Sequence, residues 1–334
     1  MDHLRESPGR AGLAHFAPHW SHEGKAMTRE YPIIRLWSKG SPPVPAARDG
    51  VILSFLIHRN HKEIAVAVWR ALQLYLRAIP PGSLGWYDTD DGDILELDDK
   101  SWEVVRQQML ERPRGQSGRA GLSESPGGGE VSSGFFFEYR GRPLDNPFDT
   151  DPVCTVSFAF PTNYIQGNGA EHLRALALEL ARELPFNFGY ASFAIISSHG
   201  MWSAAKWALV EALLARYPGL DLHGIESFGS ILGTRALGPS WLTFLGQPLL
   251  GQLGGIDTLR NALPFPEVSL LPMDGDRVLV TLDDWPDPID TQTKAIPPQY
   301  RALARLMEPF LFQYEGEGLP LYKHDTNQWL RRFL

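Results

Sequence analysis

A near-continuous apolar run, VILSFLIHR at 51–59, is the feature that most restricts how this chain can fold. A strand with one wet face alternates apolar and polar residues, whereas an unbroken run is typical of a strand buried on both faces. Two more strands are predicted at PVCTVSFAFP (152–161) and YASFAIIS (190–197). The chain is therefore expected to contain a sheet with at least one fully buried strand.

Helical periodicity follows the first of these strands, and the helix is expected to end at Pro80-Pro81. Its apolar positions are Ile64, Val68, Ala71, Leu72, Tyr75 and Ile79. Further helices are predicted at EHLRALALELARELP (171–185), WSAAKWALVEALLARYPG (202–219), PPQYRALARLMEPF (297–310) and NQWLRRFL (327–334). Helices and hairpins alternate irregularly, which favours an α+β fold, with a mixed, mainly antiparallel sheet and packed helices, over a parallel doubly wound sheet.

Two acidic hairpins are predicted, with turns at Asp91-Gly92 and at Asp274-Gly275. The first belongs to GWYDTDDGDILELDDKSW (85–102), which holds seven carboxylates. DGDILELDDKSW at 91–102 and DGDRVLVTLDDW at 274–285 share one pattern: DGD, an apolar strand, Asp-Asp and a tryptophan. An internal duplication would explain the likeness.

The negative charge is concentrated in these two hairpins. The whole chain carries 31 basic and 39 acidic residues, a net charge of −8. Residues 81–100 contribute −6 and residues 273–290 contribute −5, so the rest nets +3. Such a local negative field would repel phosphates, which argues against nucleic acid as a direct ligand.

The domain prediction is a single α+β domain over 31–334 with two weakly apolar segments. Residues 1–30 lack apolar periodicity and are expected to form a disordered arm, with Met27 as a candidate start. Residues 112–134 are rich in Gly and Ser and are expected to form a mobile loop. No secretory pattern opens the chain, and no apolar run approaches the ~18 residues of a membrane span. A cytoplasmic protein that binds no membrane is therefore predicted.

Catalytic and metal-binding motifs fail one after another. An EF-hand with Gly92 in its sixth place would put Tyr87 at its first place, which is not a calcium ligand. No serine elbow, phosphate loop or complete dinucleotide fingerprint is present, and HRNH (58–61) has no partner motif that would complete a metal set. The single cysteine, Cys154, lies in a predicted strand and is expected to be buried and inert. No catalytic residue, metal or cofactor is predicted, and the chain is not expected to be an enzyme.

The order of several segments resembles the type VI secretion immunity family of bacterial proteins, formerly a domain of unknown function. The likeness spans 51–334 and is collinear, while the arm and the Gly/Ser segment lie outside it. WPDPIDTQTKA (285–295) departs from the family pattern. The segments that carry the likeness to the family are GWYDTD with LDD and a following tryptophan, GFFFEYRGRP, FAFPTNYIQGNG, LARELPFNFGYASFA, RYPGLD, WLTFLGQPLLGQLGG, PPQYRALARLMEP and WLRRF.

This resemblance implies a protein that protects its producer in interbacterial competition by binding a cognate toxin that is encoded nearby. The toxins associated with the family include nucleases. The alternative left open is an enzyme that processes a small molecule, or a ligand-binding protein of unknown substrate. The charge pattern independently suits an inhibitor of a basic, nucleic-acid-cleaving surface.

An exposed acidic hairpin that contacts the toxin is the site prediction. Aromatic rings beside the acids are possible interface anchors, although they could equally pin the hairpins to the core, and the acids could simply be solvated. The predicted partner-binding residues are Trp86, Tyr87, Asp88, Asp90, Asp91, Asp93, Asp283 and Asp284.

Overall fold

A twelve-stranded sheet organises the part of the chain that the computed structural model describes. The described residues are 31–37, 43, 45–113, 115–124, 134–197, 207–316 and 326–334. The predicted arm at 1–30 lies outside them, and the prediction of one domain over 31–334 stays a prediction.

The elements alternate irregularly along the chain, as expected. The strands are β1 Arg35–Trp37, β2 Pro45–Ile57, β3 Trp86–Asp88, β4 Ile94–Glu96, β5 Gly118–Ser123, β6 Phe136–Gly141, β7 Cys154–Pro161, β8 Phe188–Ile196, β9 Leu220–Leu222, β10 Leu242–Leu245, β11 Ser269–Met273 and β12 Arg277–Thr281. The α-helices are α1 His61–Ala78, α2 Ser101–Leu110, α3 Thr162–Asn168, α4 Ala170–Glu183, α5 Trp207–Arg216, α6 Leu249–Gln252, α7 Gly255–Ala262, α8 Pro298–Met307 and α9 Thr326–Leu330. Short 3-10 helices lie at Ile225–Phe228 and Glu308–Phe310.

The strand order is β11-β12-β10-β8-β2-β7-β6-β5-β3-β4, with β1 added to β2 and β9 to β8. Of the described strand pairs, β8 with β9 is parallel and the others are antiparallel. The prediction of a mixed, mainly antiparallel α+β fold is confirmed. The two acidic hairpins, β3–β4 and β11–β12, form opposite ends of this order; whether they descend from one duplicated unit stays a prediction.

The long apolar strand lies in the middle of the sheet. β2 pairs with β7 on one side and β8 on the other, and its apolar residues from Val51 to Ile57 are buried. Helix α1 follows it, with Asn60 accepting a hydrogen bond from the Lys62 amide at the helix start. Tyr75 of α1 is fully buried and donates its hydroxyl proton to the Ala159 carbonyl of β7, 2.7 Å away. One face of the sheet is thereby fastened beneath α1.

A row of polar side chains crosses the sheet from β6 to β8. Ladder pairing aligns Glu138 with Ser157, Ser157 with Ser54, and Ser54 with Tyr190. All four residues are buried, and the Ser54 and Ser157 hydroxyls are hydrogen bonded at 2.9 Å. Since alternate residues of a strand face opposite ways, Glu138 lies away from Tyr139, whose ring meets the first residue of α1.

The structure differs from the sequence prediction in the Gly/Ser-rich segment 112–134. Residues Gly118–Ser123 form β5, which pairs with β6 and β3, and Ala120 and Leu122 are buried. The mobile-loop prediction is wrong for these six residues, because neighbouring strands on both sides supply the hydrogen bonds and burial that composition alone does not reveal. Residues 125–133 lie outside the described part of the chain.

Across the described helices, none combines the length and hydropathy needed to cross a membrane.

Candidate functional site

The first acidic hairpin forms where the sequence predicts it. Strand β3 pairs with β4, and the Thr89 amide donates to the Asp93 carbonyl at 2.8 Å across the turn. Gly92 has φ +90°, a conformation that favours glycine. The hairpin ends the strand order, with β4 as its outermost strand.

Asp88 lies mostly inside the protein, so its predicted place in an exposed tip is wrong. Its side chain is 13% exposed, and its Oδ2 is 3.9 Å from the Nη2 atoms of Arg119 and Arg140. Gly121 of β5 makes room for it, since a Cβ there would lie 2.2 Å from the same oxygen. The carboxylate therefore packs over β5, where two guanidinium groups attract it.

Two further acids fasten the hairpin to helix α2. Asp90 forms an ion pair with Arg112, just beyond the end of α2, and this hydrogen bond holds the pKa of Asp90 below its ordinary value. Asp98 accepts hydrogen bonds from the Ser101 hydroxyl and amide, both at 2.7 Å, and from the Lys100 amide at 3.0 Å. The Ser101 hydroxyl is the main cause of the lowered pKa of Asp98. These acids have structural roles that a count of charges does not show.

The outward-facing part of the hairpin combines acids with apolar side chains. We call Asp90, Asp91, Asp93, Ile94 and Leu95 the acidic tip; the three acids are exposed, and Ile94 and Leu95 are 37% and 47% exposed. The site predicted from the sequence consists of acids and aromatic residues and does not include these two apolar residues. An end strand has a neighbour on one side only, and that leaves them accessible.

The aromatic anchors are only partly as predicted. Tyr87 is 6% exposed and belongs to the hydrophobic core, because β3 is sandwiched between β4 and β5. It pins the hairpin and is not an exposed anchor. Trp86 is partly exposed.

Asp283 and Asp284 are not brought near the acidic tip. They follow β12, and β10, β8, β2, β7, β6 and β5 stand between β12 and β3 in the sheet. Asp284 is exposed, whereas Asp283 is partly buried and its carbonyl accepts the Trp241 indole N–H at 2.8 Å. The eight predicted partner-binding residues therefore do not form a single contact surface.

A cavity of about 220 Å³ lies directly behind the hairpin. Residues far apart in sequence meet there because β3, β5 and β6 are neighbours in the sheet, and His223 and Glu226 of the segment after β9 join them. Its lining consists of Asp88, Gly92, Ile94, Arg119, Phe136, Glu138, Arg140, Ser197, His223 and Glu226.

The ionisable groups of the cavity perturb one another. Glu138 is buried, and its Oε1 accepts a hydrogen bond from Arg140 Nε at 3.0 Å and lies 2.7 Å from Arg140 Nη2. Its Oε2 lies 3.9 Å from His223 Nε2. Burial lowers the pKa of His223, which favours the neutral imidazole. Burial, followed by the adjacent Glu138 carboxylate, raises the pKa of Glu226 well above its ordinary value and favours the protonated acid.

Sequence reasoning missed this cavity. Its local signal is the alternation in FFFEYRG, where Glu138 and Arg140 interrupt an otherwise apolar strand on one face only. The residues that complete it come from elements up to 138 positions apart, from Asp88 to Glu226, so no spacing in the sequence announces it.

The other candidate chemical residues are structural. His61 is buried against Tyr139. Cys154 is buried, as predicted, and burial raises the pKa of its thiol to about 11, which disfavours the reactive thiolate. His58 lies at the surface, 3.4 Å from Asp151. Within the described ranges, no three His, Cys, Asp or Glu side chains are arranged to hold a metal ion.

Comparison with known proteins bears out the resemblance. The family described as TsiV, Type VI immunity for VRR-NUC, matches residues 67–333. The solved structure of Pseudomonas aeruginosa T6SS protein PA0821 is similar, with a TM-score of 0.73 and 19% sequence identity, over 87% of this chain and 83% of that chain. At that identity the structural likeness establishes the fold alone. None of the curated proteins compared with the chain matches it.

Proposed function

Since this chain belongs to the TsiV family of type VI immunity proteins for VRR-NUC, we propose that it neutralises its cognate toxin by binding it through the acidic tip. The family consists of immunity proteins, not of enzymes, which sets aside the small-molecule enzyme considered from the sequence. Inhibition then requires a stoichiometric complex and no turnover.

The exposed acids of the tip carry this proposal. A nuclease holds a polyanion, so its substrate surface must present cations that neutralise phosphates. Asp91 and Asp93 offer carboxylates to such a surface, while Ile94 and Leu95 supply apolar area that can be desolvated on contact. Charge complementarity of this kind chiefly raises the association rate and suppresses wrong partners.

The setting of this complex follows from the target. A nuclease toxin acts on nucleic acid, so the immunity protein is proposed to work in the bacterial cytoplasm, without contacting nucleic acid or a membrane itself. The toxin is proposed to be encoded nearby, since a cell that makes the toxin must inherit the gene for its immunity protein together with the toxin gene.

The test is charge reversal at the tip, measured as association rate. The variant Asp91→Lys/Asp93→Lys removes two acids that form no ion pair with another described residue. The matched control, Glu179→Lys/Glu267→Lys, makes the same change in net charge at exposed acids on α4 and just before β11. Both variants are mixed with catalytically inactive toxin in a stopped-flow instrument at low and high salt.

We expect the tip variant to associate about tenfold more slowly than wild type at low ionic strength, with a difference that shrinks as salt screens the charges. The control should keep most of the wild-type rate. Equal rates for the tip variant and wild type at low salt would show that the tip does not meet the toxin.

A further inference from the structure

The cavity behind the acidic tip is built to accept a charge that the protein does not itself supply. Glu226 Oε2 is a buried acceptor atom, and it has no hydrogen-bond partner in the described residues. Such an atom is costly inside a protein unless something fills the need. It marks a site prepared for a polar group from outside.

The sign of that group follows from the charges around Glu226. Facing it are Glu138 and Arg140 on β6, Arg119 on β5, Asp88 on β3, Tyr190 on β8 and His223 after β9. With Glu226 protonated and His223 neutral, two carboxylates balance two guanidinium groups. An incoming anion would leave a net negative charge in a desolvated space, whereas a cation would be balanced once Glu226 ionised.

The position of the cavity indicates that a cation of the bound toxin can reach it. Gly92 and Ile94 form part of its wall and are exposed, while Phe136 and His223 form buried parts. The cavity therefore opens beside the acidic tip, the surface that the proposed function places against the toxin.

We propose that this cavity receives one basic side chain, Arg or Lys, of the bound toxin, and that Glu226 releases its proton to solvent as that side chain enters. The inference rests on the proposed function. The carboxylate left at Glu226 pairs with the incoming cation. The cavity therefore holds equal numbers of positive and negative groups both before and after the toxin side chain enters.

Formation of the complex then releases a proton. Burial and the Glu138 carboxylate favour the protonated Glu226 in the free protein, and the added cation reverses that preference. Binding should consequently tighten as pH rises, because the proton leaves more easily. The variant Glu226→Gln keeps the neutral form and cannot ionise, so it should fold normally and yet lose the coupling.

The experiment is titration calorimetry of inactive toxin nuclease domain into the full chain, in phosphate and in Tris at the same pH. The dependence of the heat on buffer ionisation counts protons. We expect about one proton released per complex for wild type and none for Glu226→Gln, with affinity at least about tenfold weaker for that variant. Glu226→Asp should retain proton release, and Glu179→Gln, at an exposed position on α4, should match wild type.

Three results would overturn the inference. Binding without proton release means that the cavity stays filled by solvent only. Proton release that persists in Glu226→Gln places the titrating group elsewhere. Wild-type affinity in Glu226→Gln shows that no cation is paired there. In each case toxin still binds and the proposed function stands; if wild type does not bind toxin at all, the proposed function fails and the inference fails with it.

Discussion

His61 makes the stability of this protein depend on pH in a way that can be worked out from its surroundings. It is the first residue of α1, is 2% exposed, and its Nδ1 lies 2.7 Å from the Tyr139 hydroxyl oxygen. Burial, assisted by the positive charges of Arg112 and Lys62, lowers the pKa of its imidazole to about 4. An exposed histidine has a pKa of about 6.5.

The unfolded chain therefore binds a proton at this residue before the folded protein does. Between pH 6.5 and 4 the unfolded state holds more protons, so the free energy of unfolding falls as the pH falls. At pH 5 the unfolded side chain is almost fully protonated and the folded one about one-tenth protonated. The free energy of unfolding should then be about 2 kcal/mol lower than at pH 8 through His61 alone.

The assay compares wild type with His61→Asn by urea unfolding, followed by tryptophan fluorescence at pH 8 and at pH 5. Asparagine can keep a hydrogen bond with Tyr139 but leaves a gap, so the variant should be less stable at pH 8. Its further loss on going to pH 5 should be smaller than that of wild type by about 2 kcal/mol. His172→Asn, at an exposed histidine on α4, is the control and should show the wild-type pH dependence.

Equal losses between pH 8 and pH 5 for wild type and His61→Asn would refute this reasoning. They would mean that the folded protein protonates His61 as readily as the unfolded chain does, and hence that the side chain is not held in a desolvated site.

Two further predictions concern the surroundings of the same histidine. Gly141→Ala would place a Cβ 2.4 Å from His61 Nδ1, so it should lower the free energy of unfolding in urea by about 1–3 kcal/mol. The control Gly167→Ala lies in helix α3 with open space around it, so it should leave the stability unchanged or raise it by about 0.5–1 kcal/mol. Similar effects of the two substitutions would contradict the packing argument. Arg112→Gln removes a positive charge that acts on two groups. NMR titration should therefore show the pKa of the Asp90 carboxyl rising, and the pKa of the His61 imidazole rising in part, because burial still lowers it. Unchanged pKa values would show that Arg112 acts on neither group.

The local patterns of the sequence were sufficient for most of the elements. The apolar run at 51–59 became the central strand β2, and the helical spacing after it became α1, which ends before Pro80. The turn at Asp91-Gly92 joined β3 to β4 as predicted. These signals succeed because periodicity and turn conformation are properties of a few consecutive residues.

The segment GRAGLS shows where local reading stops. Its composition predicts a mobile loop, yet it forms β5, and each glycine is required by a distant side chain: Gly118 lies against the His61 ring and Gly121 against the Asp88 carboxylate. Small residues look the same whether they leave a chain unstructured or admit a close neighbour. Whether such a segment is ordered depends on the residues packed against it, and its composition carries no information about them.

By itself the sequence determined the fold class, the acidic hairpin and the family to which the chain belongs, because these depend on local patterning and on the order of segments. The tertiary structure alone decided which acids of the hairpin face solvent, turning Asp88 inward and leaving Asp91 and Asp93 outward. It also assembled the cavity of Glu138 and Glu226 from separate strands and a loop. The physical reason is that burial and charge coupling depend on distances in space, and sheet pairing sets those distances between residues that the chain keeps far apart.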